Sequence, residues 1–318
     1  MSFQGIKEAY NRIGNIINKT PVMTSRTLNS LMIAEIYFKC ENFQRVGAFK
    51  FRGAYNTLSL LCKEERKQGV ITHSSGNHAQ AVALAASILG IQATIIMPKG
   101  APINKINATK GYGAKIVFCD NNLKSRTKTT EELIEKNNLI LIHPFDNYNI
   151  INGAGTAVYE LINEIGNFDI IIAPLGGGGL LSGTAIATKE LCPDAQVIGV
   201  EPSIADDALK SLKAGYIIPS TYPDTIADGL RTSISEKTFN FIRKYVDQIV
   251  TVSEIKIVEA MRFLWERMKI IVEPSGAVPL AAVLSKKVSV ENKKIGLILS
   301  GGNIDLEPFF QILEKNVV

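Results

Sequence analysis

The stretch FDIIIAPLGGGGLLSGTAIATKEL, residues 168–191, passes from an unbroken apolar run through four consecutive glycines into a helical pattern. An apolar run without alternation reads as a strand covered on both faces, the way strands of parallel sheets are buried. Gly176, Gly177, Gly178 and Gly179, followed by Leu180, then expose backbone N–H groups beside a helix N-terminus, a ready site for an anion such as phosphate. A tight packing turn is the alternative, but such a turn usually needs only one or two glycines. The loop is not the dinucleotide fingerprint: counted from Gly176 or Gly177, the last required glycine falls on Leu181 or Ser182. No GxxxxGK(S/T) sequence occurs either.

The same alternation extends outward on both sides. Upstream, GVITHS (69–74), QATIIMP (92–98), AKIVFCD (114–120) and LILIHPF (139–145) read as strands with helical patterns between them, the first helix ending at Gly90. Downstream, GAGTAVYELINEIG reads as helix, and AQVIGVEP (195–202) and KIGLILSGGN (294–303) as strands. The expected class is α/β with two domains, parallel-rich sheets flanked by helices. A small mobile substrate-closing domain is expected over 69–146, with 1–68 and 147–318 forming the large cofactor-binding domain. Ligands of such sheets bind beyond the carboxyl ends of the strands, where SSGNH, PLGGGG, EPSIADD and SGGN all fall.

Composition excludes several classes. The chain has 318 residues, 46% hydrophobic and 20% charged, with a net charge of +5. Its basic residues are interleaved with acidic ones (KEERK, SEKTFNFIRK), which describes a solvated surface and not a nucleic-acid groove. The most apolar window, near 81–98, is broken by Gly90, Gln92 and Pro98, so no membrane span is expected. Cys40, Cys62, Cys119 and Cys192 form no CxxC pair and are expected as reduced thiols. The polar amphipathic start reads as a helix and not as a signal peptide, and a cytoplasmic location is expected.

Three segments carry chemistry. In GAFKFRGA (47–54), Lys50 lies at a helix start between Phe49 and Phe51. Cations are disfavoured there, and a lysine among apolar groups has a lowered pKa, which suits an amine nucleophile. A solvated charge is the plain alternative for Lys50, as it is for Arg52. EPSIADD (201–207) brings Glu201 and Asp207 round a short loop; they suit a hard divalent cation, or the loop merely caps a helix through Ser203 and Asp206 or Asp207. THSSGNHAQ (72–80) crowds Ser74, Ser75, Asn77 and His78 into one strand-to-helix corner.

GAFKFRGA, SSGNHAQ, GGGGLLSG, EPSIADD, TIADGL, RMKIIVEPSGA and SGGN, in this order, resemble the serine racemase and threonine (serine) dehydratase family. These are pyridoxal-phosphate enzymes of the tryptophan-synthase-β type (fold type II), and the resemblance covers nearly the whole chain. It implies that Lys50 carries the cofactor, with Phe49 beside it, Gly176 to Gly179 and Leu180 on the phosphate, Asn77 on the ring hydroxyl and Ser300 on the pyridine nitrogen. It implies that Ser74, Ser75, Asn77, His78 and Arg126 bind the substrate carboxylate. It further implies that Glu201, the carbonyl of Ala205 and Asp207 hold magnesium, with calcium or manganese as alternatives.

Dehydratases proper commonly have SAGNH where this chain has SSGNH. Ser75 is therefore the candidate acid/base on the face of Cα opposite Lys50, its alternative role being only to hydrogen-bond the carboxylate. The resemblance implies a homodimer that interconverts L- and D-serine and eliminates water from serine or threonine. A catabolic dehydratase or a 3-hydroxyaspartate ammonia-lyase is the alternative within the family. A nucleotide-dependent oxidoreductase is disfavoured by the broken fingerprint, and a non-catalytic ligand-binding regulator would not need Lys50. No feedback-regulatory domain is expected after Val318. Ala48, where the family often has serine, and NGAGT (152–156), expected at a helix entry, depart from the pattern.

Overall fold

The computed structural model describes residues 2–307 apart from Ser75, Pro102, Thr221 and Tyr222, and apart from the side chains of Asn104 and Leu123. In chain order its strands are β1 (Val22–Thr24), β2 (Glu35–Cys40), β3 (Val70–His73), β4 (Ala93–Pro98), β5 (Lys115–Cys119), β6 (Ile140–Leu141), β7 (Ile170–Pro174), β8 (Gln196–Pro202), β9 (Gln248–Val252) and β10 (Lys294–Leu299). The apolar run at the head of the glycine loop is β7, and all five of its residues are buried. Ile170 and Ile172 pack into one hydrophobic cluster, while Ile171 and Ala173 pack into another on the opposite face. Each fully buried aliphatic side chain contributes about 1.5–3 kcal/mol, so a run buried on both faces holds its register firmly.

The strands form two sheets. The larger has the order β1-β2-β10-β7-β8-β9; β1 is antiparallel to β2, and the other pairings are parallel. The smaller, β5-β4-β3-β6, is parallel throughout. In the larger sheet the chain runs outward from β7 to β9 and returns on the other side of β7 as β10. In the smaller it runs outward from β3 to β5 and returns on the other side of β3 as β6. The order thus reverses once in each sheet, and such a reversal opens a crevice at the strands' carboxyl ends. Residues 175–179 and 300–303 border the first crevice, 74, 76, 77 and 142–147 the second.

The helices Lys50–Ser59 and Tyr148–Ile165 cross closely enough that a Cβ on Gly153 would lie 2.6 Å from the Arg52 carbonyl oxygen and from the Gly53 Cα. NGAGT is therefore the inside of a helix, where glycine admits a neighbouring backbone, and not a helix entry. Strand β6 is short, and the rest of LILIHPF leaves the small sheet as the loop that leads to Tyr148–Ile165. No helix of the described residues is long and apolar enough to cross a membrane.

Beneath the helix Lys50–Ser59 lies a buried charge network. Arg52 Nε and Nη2 donate to Glu41 at 2.7 and 2.8 Å, and Nη1 and Nη2 donate to Glu160 at 2.9 and 2.8 Å. Lys39 Nζ meets Glu160 Oε2 at 2.8 Å, and Thr20 Oγ1 donates to Glu41 at 2.6 Å. Burial alone would raise the Glu41 carboxyl, but the Arg52 charge overrides it and holds the group below its ordinary value. Arg52 is thus a buried structural charge and not a solvated one.

Candidate active site

The segment before Lys50 is zipped to the one after β10. Val46 and Gly47 adopt left-handed backbone (φ 55° and 68°), which turns Ala48 into an antiparallel bridge with Gly301. The Phe49 N–H donates to the Ser300 carbonyl at 3.0 Å, and the Gly302 N–H to that of Gly47 at 2.9 Å. Lys50, at the first turn of its helix, sends Nζ across the cleft to the Pro144 carbonyl oxygen at 2.9 Å, with the Phe49 ring centroid 5.1 Å away. Loss of hydration pushes the Lys50 amine down to about 8, against the opposing charge of Glu273. Near neutral pH it is therefore far more often the free amine than an exposed lysine would be.

Asn77 begins the helix after β3 and belongs to a cross-sheet chain. Its Nδ2 donates to Glu273 Oε1 and Oε2 at 2.8 and 3.1 Å, while its Oδ1 accepts from Asn303 Nδ2 at 2.8 Å. Asn303 Nδ2 also donates to the Val46 carbonyl at 2.6 Å, closing the chain back on the Lys50 segment. Glu273 is buried and pushed up to about 7 by burial first and the Asp228 charge second, with Asn77 opposing the shift. A second tie between the sheets is the ion pair of Lys105 Nζ with Asp228 Oδ2 at 2.7 Å.

The four glycines form the N-terminal approach to the helix Gly179–Leu191; Gly178 is its N-cap (φ 86°) and offers no side-chain cap. Among the described residues no hydrogen bond uses the N–H of Gly176, Gly177 or Gly178, and those that open the helix have no partner within it. Gly177 and Gly178 are buried. Partnerless buried N–H groups are rare, so together they make an anion cradle. The packing alternative is also partly realised, because a Cβ on Gly177 would meet the Phe145 ring at 2.4 Å. These groups suit pyridoxal phosphate: the cradle fits its phosphate and the poised amine of Lys50 its aldehyde. The buried Ser300, directly after β10, has a hydroxyl with no partner among the described residues.

All three histidines of the chain gather here. His78 is buried and donates from Nε2 to the Ile142 carbonyl at 3.1 Å, leaving Nδ1 without a partner among the described residues; burial, then the Lys50 charge, holds it well below its ordinary pKa. His73 and His143 stand edge to face, with centroids 6.2 Å apart. Burial, then the Arg126 charge, lowers His73, which places Arg126 near the end of β3; its Nε is buried without a partner. The Ser74 hydroxyl accepts the Gly76 N–H at 3.2 Å. Ser75 lies outside the described residues.

Glu201 and Asp207 lie at the end of β8 and the start of the helix Asp207–Ala214. Asp206 makes no side-chain cap and instead pairs with Lys210 at 2.7 Å. The helix start is satisfied from a distance by Glu201, whose carboxylate accepts the N–H of Ala208 and Leu209 at 3.1 and 3.0 Å. Burial pushes Glu201 up to about 8 and Asp207 up to about 6. No three His, Cys, Asp or Glu side chains of the described residues converge as metal ligands.

Sequence reasoning assigned no role to Glu273, Asn303, Pro144, His143 or Phe145. VEPSGA was read only as part of a motif and HPF only as a strand end, although an ionisable residue at such an end was a usable signal.

The chain is 46% identical over 315 residues to a serine racemase of Schizosaccharomyces pombe, covering 99% of this chain and 98% of that protein. It is 47% identical over 313 residues to an L-threo-3-hydroxyaspartate ammonia-lyase of Saccharomyces cerevisiae, covering 98% and 96%. The solved structure of maize serine racemase superposes with a TM-score of 0.96 at 42% identity, covering 99% of this chain and 98% of that one. The family described as pyridoxal-phosphate dependent enzyme matches residues 13–301. Since that match runs unbroken through Lys50, the glycine loop and Ser300, this chain belongs to the pyridoxal-phosphate dependent enzymes of fold type II.

Proposed function

We propose that this enzyme interconverts L- and D-serine and also eliminates water from serine and threonine, giving pyruvate or 2-oxobutanoate and ammonia. The observation that carries the reading is the Lys50 amine held by the Pro144 carbonyl at 2.9 Å, with Phe145 of the same loop against the glycine cradle and Asn77 tied to Glu273 and Asn303. When bound, pyridoxal phosphate supplies the electron sink that makes a Cα proton removable.

The chain's own residues do the rest. Gly176 to Gly179 and Leu180 grip the phosphate through backbone N–H groups, Phe49 packs beside the ring, and Asn77 meets the ring hydroxyl. Ser300 faces the pyridine nitrogen with a hydroxyl, which does not keep that nitrogen protonated as a carboxylate would. Lys50, whose lowered pKa leaves a usable fraction as the free amine near neutrality, takes the Cα proton on one face, and Ser75 returns a proton on the other. Ser74, His78 and Arg126 hold and enclose the substrate carboxylate. Closure of 69–146 over 1–68 and 147–318 excludes water. Glu201, the Ala205 carbonyl and Asp207 hold magnesium, with calcium or manganese as alternatives. The reading also takes the active species to be a homodimer, which a solution mass of one chain would exclude.

The second reading, a 3-hydroxyaspartate ammonia-lyase or catabolic dehydratase with little racemase activity, is favoured by the 47% identity to the yeast ammonia-lyase. One experiment separates them: D-serine and pyruvate are followed together after L-serine, pyridoxal phosphate and magnesium are added to the native protein, Ser75→Ala and Lys50→Ala. The expected result is both products from the native protein, pyruvate alone from Ser75→Ala, and a loss of roughly 10²–10⁴-fold in both for Lys50→Ala. Pyruvate without D-serine from the native protein selects the second reading.

A further inference from the structure

The loop after β6 holds one polar group to which the proposed function gives no task. His143 precedes Pro144, whose carbonyl oxygen holds Lys50 Nζ at 2.9 Å. Its ring stands edge-on to Phe145, with centroids 4.8 Å apart, and to His73 at the end of β3, 6.2 Å away. Phe145 lies against the glycine loop, and His73 leads directly into Ser74. His143 is thus placed between the phosphate end of the cleft and its carboxylate corner, beside the amine.

Hydrogen bonding fixes its tautomer. Nδ1 accepts the Asp146 N–H at 2.8 Å and the Phe145 N–H at 3.4 Å. An accepting ring nitrogen bears no proton, so the neutral ring carries its proton on Nε2. Burial pushes the ring pKa down to about 4, keeping it neutral at physiological pH. Nε2 has no partner among the described residues and is not among the side-chain atoms sealed inside without one. The result is an uncharged donor of fixed orientation, not sealed inside, in the loop that holds the Lys50 amine.

We infer that His143 is a substrate-binding residue whose Nε2–H donates a hydrogen bond to the β-hydroxyl of a β-hydroxy-α-amino acid. This rests on the function proposed above. Of the four substituents on Cα, the amine would take the place of Lys50 on the cofactor's aldehyde carbon, the proton goes to Lys50 and the carboxylate to the Ser74–Asn77 corner. The β-substituent remains for the side of the cleft that His143 lines. A neutral donor suits an uncharged hydroxyl, and that hydroxyl is common to serine, threonine and 3-hydroxyaspartate, so His143 selects the class and not the member. The competing role is a loop staple acting only through Nδ1.

His143→Asn separates the two roles, because an asparagine oxygen takes over from Nδ1 as acceptor of the Asp146 N–H but offers no counterpart to Nε2–H. Titration of the holoenzyme with each amino acid, read from the cofactor's visible band, gives apparent Kd values. The variant is expected to keep the band and to bind L-serine and L-threonine roughly 3- to 10-fold more weakly, with L-alanine unchanged. Equal weakening for alanine, or none for serine, overturns the inference. In the native holoenzyme, histidine ring ¹⁵N NMR has only three residues to assign; the His143 Nε2 signal should move with L-serine and not with L-alanine, and no movement with serine also overturns it. If the native band does not respond to serine at all, the proposed function itself fails; if it responds and the variant is indifferent, only the role of His143 fails.

Discussion

Two pairs of buried carboxylates in this protein have opposite surroundings. Glu41 and Glu160 lie beneath the Lys50 helix and are met by Arg52 and Lys39 at 2.7–2.9 Å. Glu201 and Asp207 are equally hidden, yet no described ion pair involves either, and their partners are backbone N–H groups. A buried carboxylate without a positive partner is costly. The first pair is neutralised by the chain, which makes it part of the fold. The second meets no basic side chain, so burial pushes both carboxyls up, and in the reading proposed above a cation from outside would compensate them. The same residue type serves architecture in one region and, under that proposal, ligand binding in the other, and the deciding factor is whether a basic side chain arrives.

Breaking the first pair should have the largest effect. Arg52→Met strands Glu41 and Glu160 with Lys39 as the only remaining charge, and unfolding in denaturant should show a loss of about 3–5 kcal/mol. A loss below about 1 kcal/mol would mean that the network is not the anchor described. Next is the cation. At a hundredfold excess over its Kd, magnesium should stabilise by roughly 2.7 kcal/mol, or about 5 °C in Tm, in the native protein and not in Glu201→Gln.

The pH dependence sharpens the same contrast. A carboxyl whose folded pKa is raised contributes stability below its unfolded pKa and loses it as pH rises through the folded value. With a chelator present, Tm should therefore fall as pH rises from about 4.5 to about 8, the value to which Glu201 is pushed, and magnesium should flatten the fall. A flat profile without metal would remove the distinction between the two pairs. The smallest effect belongs to an exposed pair, Lys99 with Asp120 at 2.8 Å; Lys99→Ala should leave Tm unchanged.

Much of the site was legible because local chemistry marked it. Lys50 between two phenylalanines is a strange place for a cation, and four glycines between a strand and a helix are more than a turn requires. Asn77 and Ser300 were legible as polar residues at strand ends, where α/β sheets bind ligands. Glu273 and His143 were not. Each becomes notable only through partners far along the chain, Asn77 for the one and His73 with the Lys50–Pro144 contact for the other. The solvated alternative for Arg52 fails because its acidic partners, Glu41 and Glu160, come from other elements.

The sequence by itself determined the alternation of strands and helices, the burial of strands on both faces and the residue types at the strand ends. These follow from periodicity and backbone chemistry within a few residues. Only the tertiary structure decided which charges are paired and which N–H groups are left open. Those properties depend on distances of about 3 Å between groups as much as 257 residues apart, as Val46 and Asn303 are. Electrostatic and hydrogen-bond energies are set by such distances and by exclusion of water, and neither is fixed until the two sheets have met.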